Sequence, residues 1–144
     1  MRATQLLPLF LAAAAAADIP EAEREARKDP VQTVVLAHEQ LKDLKKPQTA
    51  DFIRTYASPE DLKKMPGTVE EIAPAFYDRK RPELLNALAA AREVSPTLSD
   101  GGTRATFVFK EPVNTENLAA GSGIPKRSKE ISFSKVGEYW YLVN

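Results

Sequence analysis

The sequence has no cysteine and a single histidine, His38. The first absence excludes disulfides, cysteine nucleophiles and thiolate metal sites together. It also excludes the lipidated cysteine that would tether an exported protein to a membrane. A lone histidine without cysteine argues against a transition-metal centre, so no metal or cofactor is expected. Net charge is missing too, because 20 Lys and Arg balance 20 Asp and Glu. No basic excess favours nucleic acid or an anionic membrane surface. The short runs DRKR (78–81) and PKRSK (125–129) read as a helix end and a solvated loop.

Catalytic signatures are lacking as well. No GxSxG, P-loop, GxGxxG, HExxH or EF-hand pattern occurs. Carboxylates are plentiful, but Glu60-Asp61 and Glu70-Glu71 suit the first turns of helices, where anions favour the macrodipole. No catalytic residue is assigned, and a non-enzymatic role is the expectation.

Long apolar runs are absent except at the start. Leu6 to Ala17 follow Arg2 and precede an abruptly polar stretch beginning at Asp18. That layout, with Ala15-x-Ala17 as a small-residue cleavage site, is a secretory signal peptide over residues 1–17. It is favoured over an N-terminal anchor or an ordinary Ala-rich helix. The run is too short to span a membrane, which takes about 20 residues. The expected location is periplasmic or secreted, with no stable membrane span after cleavage. Residues 18–29 are charged and almost free of large apolar groups, and read as a flexible leader or a frayed helical turn. Residues 30–144 are long enough for one domain with a real core.

Within that domain, helices come first. Asp29-Pro30 reads as an N-cap followed by proline at N1. Val31, Val34, Val35, His38 and Leu41 then form one stripe at helical spacing. Phe52, Ile53 and Tyr56 share a face of a second helix. Ser58-Pro59 starts a third. Thr68 and Glu71 make a capping box ahead of Val69, Ile72 and Phe76, with Pro74 expected to kink or shorten that helix. A last helix restarts near Pro82 and buries Leu84, Leu85, Leu88 and Ala91.

The period then changes to two. EVSPTLSDGGTRATFVFK (93–110) reads as two strands around Asp100-Gly101, or around Gly101-Gly102 with the same faces. Either register puts Val94, Leu98, Ala105, Phe107 and Phe109 on one side. EPVNTENLAAGSGIPKRS (111–128) lacks periodicity and reads as a long loop. KEISFSKVGEYWYLVN (129–144) gives two strands around Gly137. A two-residue Gly137-Glu138 turn places Ile131, Phe133, Trp140 and Leu142 inward, and Tyr139, Tyr141 and Val143 on the other face. A three-residue loop with Gly137 as a bulge would swap the faces of the last strand, and the first register is preferred because it suits the Ile/Ser and Phe/Ser alternation. The sum is an α+β domain, with N-terminal helices packed on one face of a bent antiparallel sheet of about four strands.

The stretches DFIRTYASPEDLKKM (51–65), EEIAPAF (70–76), LLNALAAA (84–91), GTRATFVF (102–109) and EYWYLVN (138–144) occur in an order that resembles the NTF2-like (cystatin-like) superfamily. The resemblance covers Pro30 to Asn144. It implies a cone, with helices packed into a bent sheet. It also implies a role among those of the relatives: isomerases, dehydratases, ligand carriers and non-catalytic assembly modules. Acidic, Tyr or His groups serve the enzymes of that superfamily, and none of them maps onto this chain.

Two functions from different classes follow. The first is an exported non-enzymatic domain for partner binding or assembly, with a homodimer through the sheet face bearing Tyr139, Tyr141 and Val143. The second is a small-molecule binder for an apolar ligand, or with less support an isomerase or hydro-lyase. Its pocket candidates are His38, Phe52, Tyr56, Phe107 and Trp140. A membrane-surface role for the C-terminal aromatics ranks last, because no basic patch adjoins them.

Overall fold

The computed structural model describes residues 20–118 and 127–143. The expected signal peptide and part of the expected loop before Lys129 lie outside them. Helix α1 spans Glu21–Arg27 and α2 spans Pro30–Lys42. Asp29 caps α2, its side chain accepting from Gln32 N at 2.9 Å. A 3-10 turn, Lys46–Gln48, leads to α3, Thr49–Tyr56. Helix α4, Pro59–Lys64, starts on Ser58, whose hydroxyl accepts from Asp61 N at 3.1 Å. Helix α5, Val69–Ala75, opens on the Thr68–Glu71 capping box.

Pro74 lacks the N–H that would bond one turn back. The helix gives way at Phe76–Lys80 to a π-helical turn in which Arg81 N donates to the Phe76 carbonyl. Helix α6, Arg81–Ala91, follows directly. The sheet then forms from β1 (Thr97–Ser99), β2 (Arg104–Asn114), β3 (Arg127–Val136) and β4 (Tyr139–Leu142). All neighbours are antiparallel, in the order β1-β2-β3-β4.

The core lies between the helices and one sheet face. Val34, Leu41, Phe52, Tyr56, Leu84 and Leu88 from the helices meet Ala105, Phe107, Phe133 and Trp140 from the sheet. Phe107 and Phe133 are cross-strand neighbours with their rings edge to face at 5.9 Å. The β3–β4 turn has the expected two-residue length, pairing Val136 with Tyr139. Gly137 supplies the positive φ it needs, 65°. The β1–β2 hairpin takes the Gly101-Gly102 register, with Leu98 opposite Ala105.

Several expectations are corrected. Of the two readings for residues 18–29, leader or frayed helical turn, residues 21–27 are helical but packed at their end, because the last residue, Arg27, is fully buried. Val31 is 40 % exposed, and the buried stripe of α2 runs through Thr33, Val34, Ala37 and Leu41. In α6, Ala87 takes the buried place expected of Leu85, which is half-buried. Strand β1 begins at Thr97, so Val94 precedes it, and Leu98 is 54 % exposed on a short edge strand. The stretch expected to be loop contributes strand at both ends: β2 runs on to Asn114 and β3 starts at Arg127. The pairing register shifts between Val108 and Val113, on the segment carrying Pro112, which cannot donate to a ladder. Such a shift breaks the alternation that marks a strand and bends the sheet.

Candidate binding cleft

A partly enclosed cleft of about 880 Å³ opens between α3, α4, α5 and the sheet. Its size falls within the range of about 300–1,000 Å³ usual for small-molecule sites. Phe52, Tyr56 and Leu84 form buried parts of its wall. Leu62, Met65, Ile72, Phe76, Ile131 and Leu142 also line it, partly buried and packed against the core. Large apolar side chains left partly exposed around one concavity mark binding surfaces, whereas scattered ones do not.

Each wall has a local cause. The i, i+3 pair Leu62 and Met65 faces one side of α4 and its cap. Ile72 and Phe76 stand one turn apart across the Pro74 interruption, so the π turn helps aim Phe76 at the cleft. Opposite them, Ile131 and Leu142 come from the inward face of β3 and β4. Glu83, which does not itself line the cleft, holds the chain at Leu118. Its buried carboxylate accepts from Asn117 N at 2.9 Å, Asn117 Nδ2 at 2.9 Å and Leu118 N at 3.0 Å, and Leu118 also lines the cleft.

The pocket candidates divide. Phe52 and Tyr56 lie on the cleft, with rings 4.8 Å apart. The Tyr56 hydroxyl donates to Gln40 Oε1 at 2.7 Å, and burial pushes its pKa well up. Phe107 and Trp140 are core residues and do not line the cleft. His38 does not line it either. Arg92 Nη1 lies 3.0 Å from His38 Nδ1, which leaves Nδ1 as acceptor and the proton on Nε2. Burial first, then the charges of Arg92 and Lys42, lower its pKa, with Glu39 opposing.

Of the partner-surface candidates, all half-buried, Val143 lines the cleft. Tyr141 is engaged within the chain. Its ring centre lies 4.9 Å from the Arg27 guanidinium carbon, and Tyr56 lies 4.6 Å from the same atom. Arg27 was not among the sequence candidates. Nη2 donates to the carbonyls of Trp140 and Thr55, both at 2.9 Å. Nη1 is buried with no hydrogen-bond partner. Desolvation lowers its pKa, and the neighbouring tyrosines act in the other direction.

A second, open depression of about 540 Å³ lies between α2 and α3 and carries Glu39, Asp43 and Asp51. Among the described residues, no group of histidine or acidic side chains could hold a metal ion. No described helix is long and apolar enough to cross a membrane. Compared with known proteins, the chain matches no family model, no curated protein and no solved structure.

Proposed function

We propose that this is an exported, non-enzymatic binding domain and that its cleft receives an apolar small molecule. The observation that carries the reading is the lining. Leu62, Met65, Ile72, Phe76, Ile131 and Leu142 pack against the core behind them, yet each keeps part of its apolar surface uncovered on one concavity. Burying them under a ligand would gain roughly 25 cal/mol per Å² of apolar surface. Export rests on the layout of residues 1–17, and the NTF2-like resemblance would make the domain a ligand carrier within that superfamily.

The test is titration of the full chain with N-phenyl-1-naphthylamine, a neutral dye that brightens in apolar sites. Saturable binding is expected, and Ile72→Trp and Met65→Trp, which narrow the cleft, should each weaken it. Dye binding that both variants leave intact would place the dye elsewhere and end the reading.

A further inference from the structure

The cleft is apolar inside but not neutral at its margin. Lys64 stands at the end of α4, Lys80 at the end of the π turn and Arg104 at the start of β2, and all three line the cleft. Lys80 and Arg104 are half-buried, so their stems pack while their charges remain to be solvated. No ion pair between described residues occupies any of the three; the lysines and arginines that are paired are Lys28, Lys46, Arg54 and Arg92. Two carboxylates, Asp61 and Glu130, share the lining. Asp61 already has an interaction within the chain. Cations therefore outnumber the carboxylates, in a protein whose overall charge is zero.

Unpaired cations beside an apolar concavity have a specific chemical complement. A purely apolar ligand would bury surface around Lys80 and Arg104 and give their charges nothing in return. A cationic ligand would be repelled. An anionic group joined to an apolar body satisfies both parts of the site, because charge-assisted hydrogen bonds to Lys or Arg are stronger than neutral ones. We infer that the ligand is an amphiphile with an anionic head, a carboxylate in the simplest case, whose apolar part lies in the cleft while its head is drawn to the cations of the lining, Lys64, Lys80 and Arg104. This rests on the cleft reading above and adds the class of ligand to it.

The experiment separates the two claims. Three amphiphiles with the same twelve-carbon chain compete for the bound dye on the full chain: dodecanoate, dodecanol and dodecyltrimethylammonium, at slightly alkaline pH, the ionic two below their micelle points and dodecanol below its solubility limit. Dodecanoate should displace the dye at a concentration about tenfold lower than dodecanol, the worth of one charge-assisted hydrogen bond. The ammonium compound should be weakest. In Lys64→Gln/Lys80→Gln/Arg104→Gln the preference for dodecanoate over dodecanol should vanish, read as a ratio on the same protein so that any change in dye affinity cancels, and these exposed or partly exposed positions leave the core untouched. Equal displacement by dodecanoate and dodecanol, or an unchanged preference in the triple variant, would overturn the inference and leave the cleft as a neutral apolar site. Absence of saturable dye binding would overturn both claims.

Discussion

Arg27 and Trp140 hold each other from both sides although 113 residues separate them. The guanidinium donates to the Trp140 carbonyl from Nε at 3.2 Å and Nη2 at 2.9 Å. In return the Trp140 indole donates to the carbonyl of Lys28, next in sequence to Arg27, at 3.3 Å. Trp140 lies on β4, the last strand of the sheet, whose outer edge would otherwise present bare carbonyls. Arg27 and a short parallel bridge between Ala57 and Leu142 occupy that edge. The C-terminal aromatics are thus anchored inside the domain.

Arg27→Ala should lower the unfolding free energy by about 3 kcal/mol, because the buried Trp140 carbonyl and the part-buried Thr55 carbonyl lose a charged donor and two aromatic rings lose their cation. Arg27→Lys should recover less than half of the loss, since an ammonium cannot reproduce the planar fork. Urea denaturation measures both. An Arg27→Ala midpoint equal to wild type would show that the edge does not depend on the guanidinium.

Trp140 is the single tryptophan and is buried. Its emission should be blue-shifted and poorly quenched by acrylamide. Deleting residues 20–28 should shift the emission to the red, because the carbonyl partner and covering helix leave together. Trp140→Phe should cost about 1–2 kcal/mol through lost packing and the lost indole hydrogen bond.

His38 gives a pH dependence with a defined sign. Its pKa lies below the ordinary 6.5 in the folded protein. As pH drops under 6.5 the unfolded chain takes up the proton first, so stability is full above that pH and declines below it until the folded pKa is passed. NMR titration of the imidazole should return the lowered value. Arg92→Ala should move it back up, since one neighbouring cation is gone. A titration at or above the ordinary value in wild type would contradict this.

Glu83→Gln should destabilise the protein by about 1–2 kcal/mol. The neutral amide accepts more weakly and turns an N–H toward the donors of Asn117 and Leu118. Amide hydrogen exchange at those two residues should quicken more than in α2. Equal acceleration throughout the domain would instead indicate a global loss.

What was readable in the sequence was local. Asp29, Ser58 and the Thr68–Glu71 pair could be identified because a cap and its recipient N–H lie within one turn. Gly137 fixed the last hairpin because a two-residue turn admits few residues at positive φ. The α+β class followed from the change of period. Arg27 was illegible because its partners, the Thr55 and Trp140 carbonyls and the rings of Tyr56 and Tyr141, are all distant in sequence. A charged helix with little apolar content gives no local sign of burial. The continuation of β2 was hidden by the register shift that breaks its alternation. Phe52 and Tyr56 were found as cleft residues. Phe107 and Trp140 were not separable from them, since a core aromatic and a cleft aromatic obey the same periodicity.

The Arg27–Trp140 contact also bears on time. A contact spanning almost the whole described chain closes a very large loop, and its entropy is repaid only after the intervening helices and hairpins have formed. Such a contact belongs to the late stages of folding and to the first stages of opening. Weakening it should therefore leave the rate of folding nearly unchanged and accelerate unfolding. The domain's lifetime in the folded state would then depend on how often one guanidinium lets go of the carbonyls of Trp140 and Thr55.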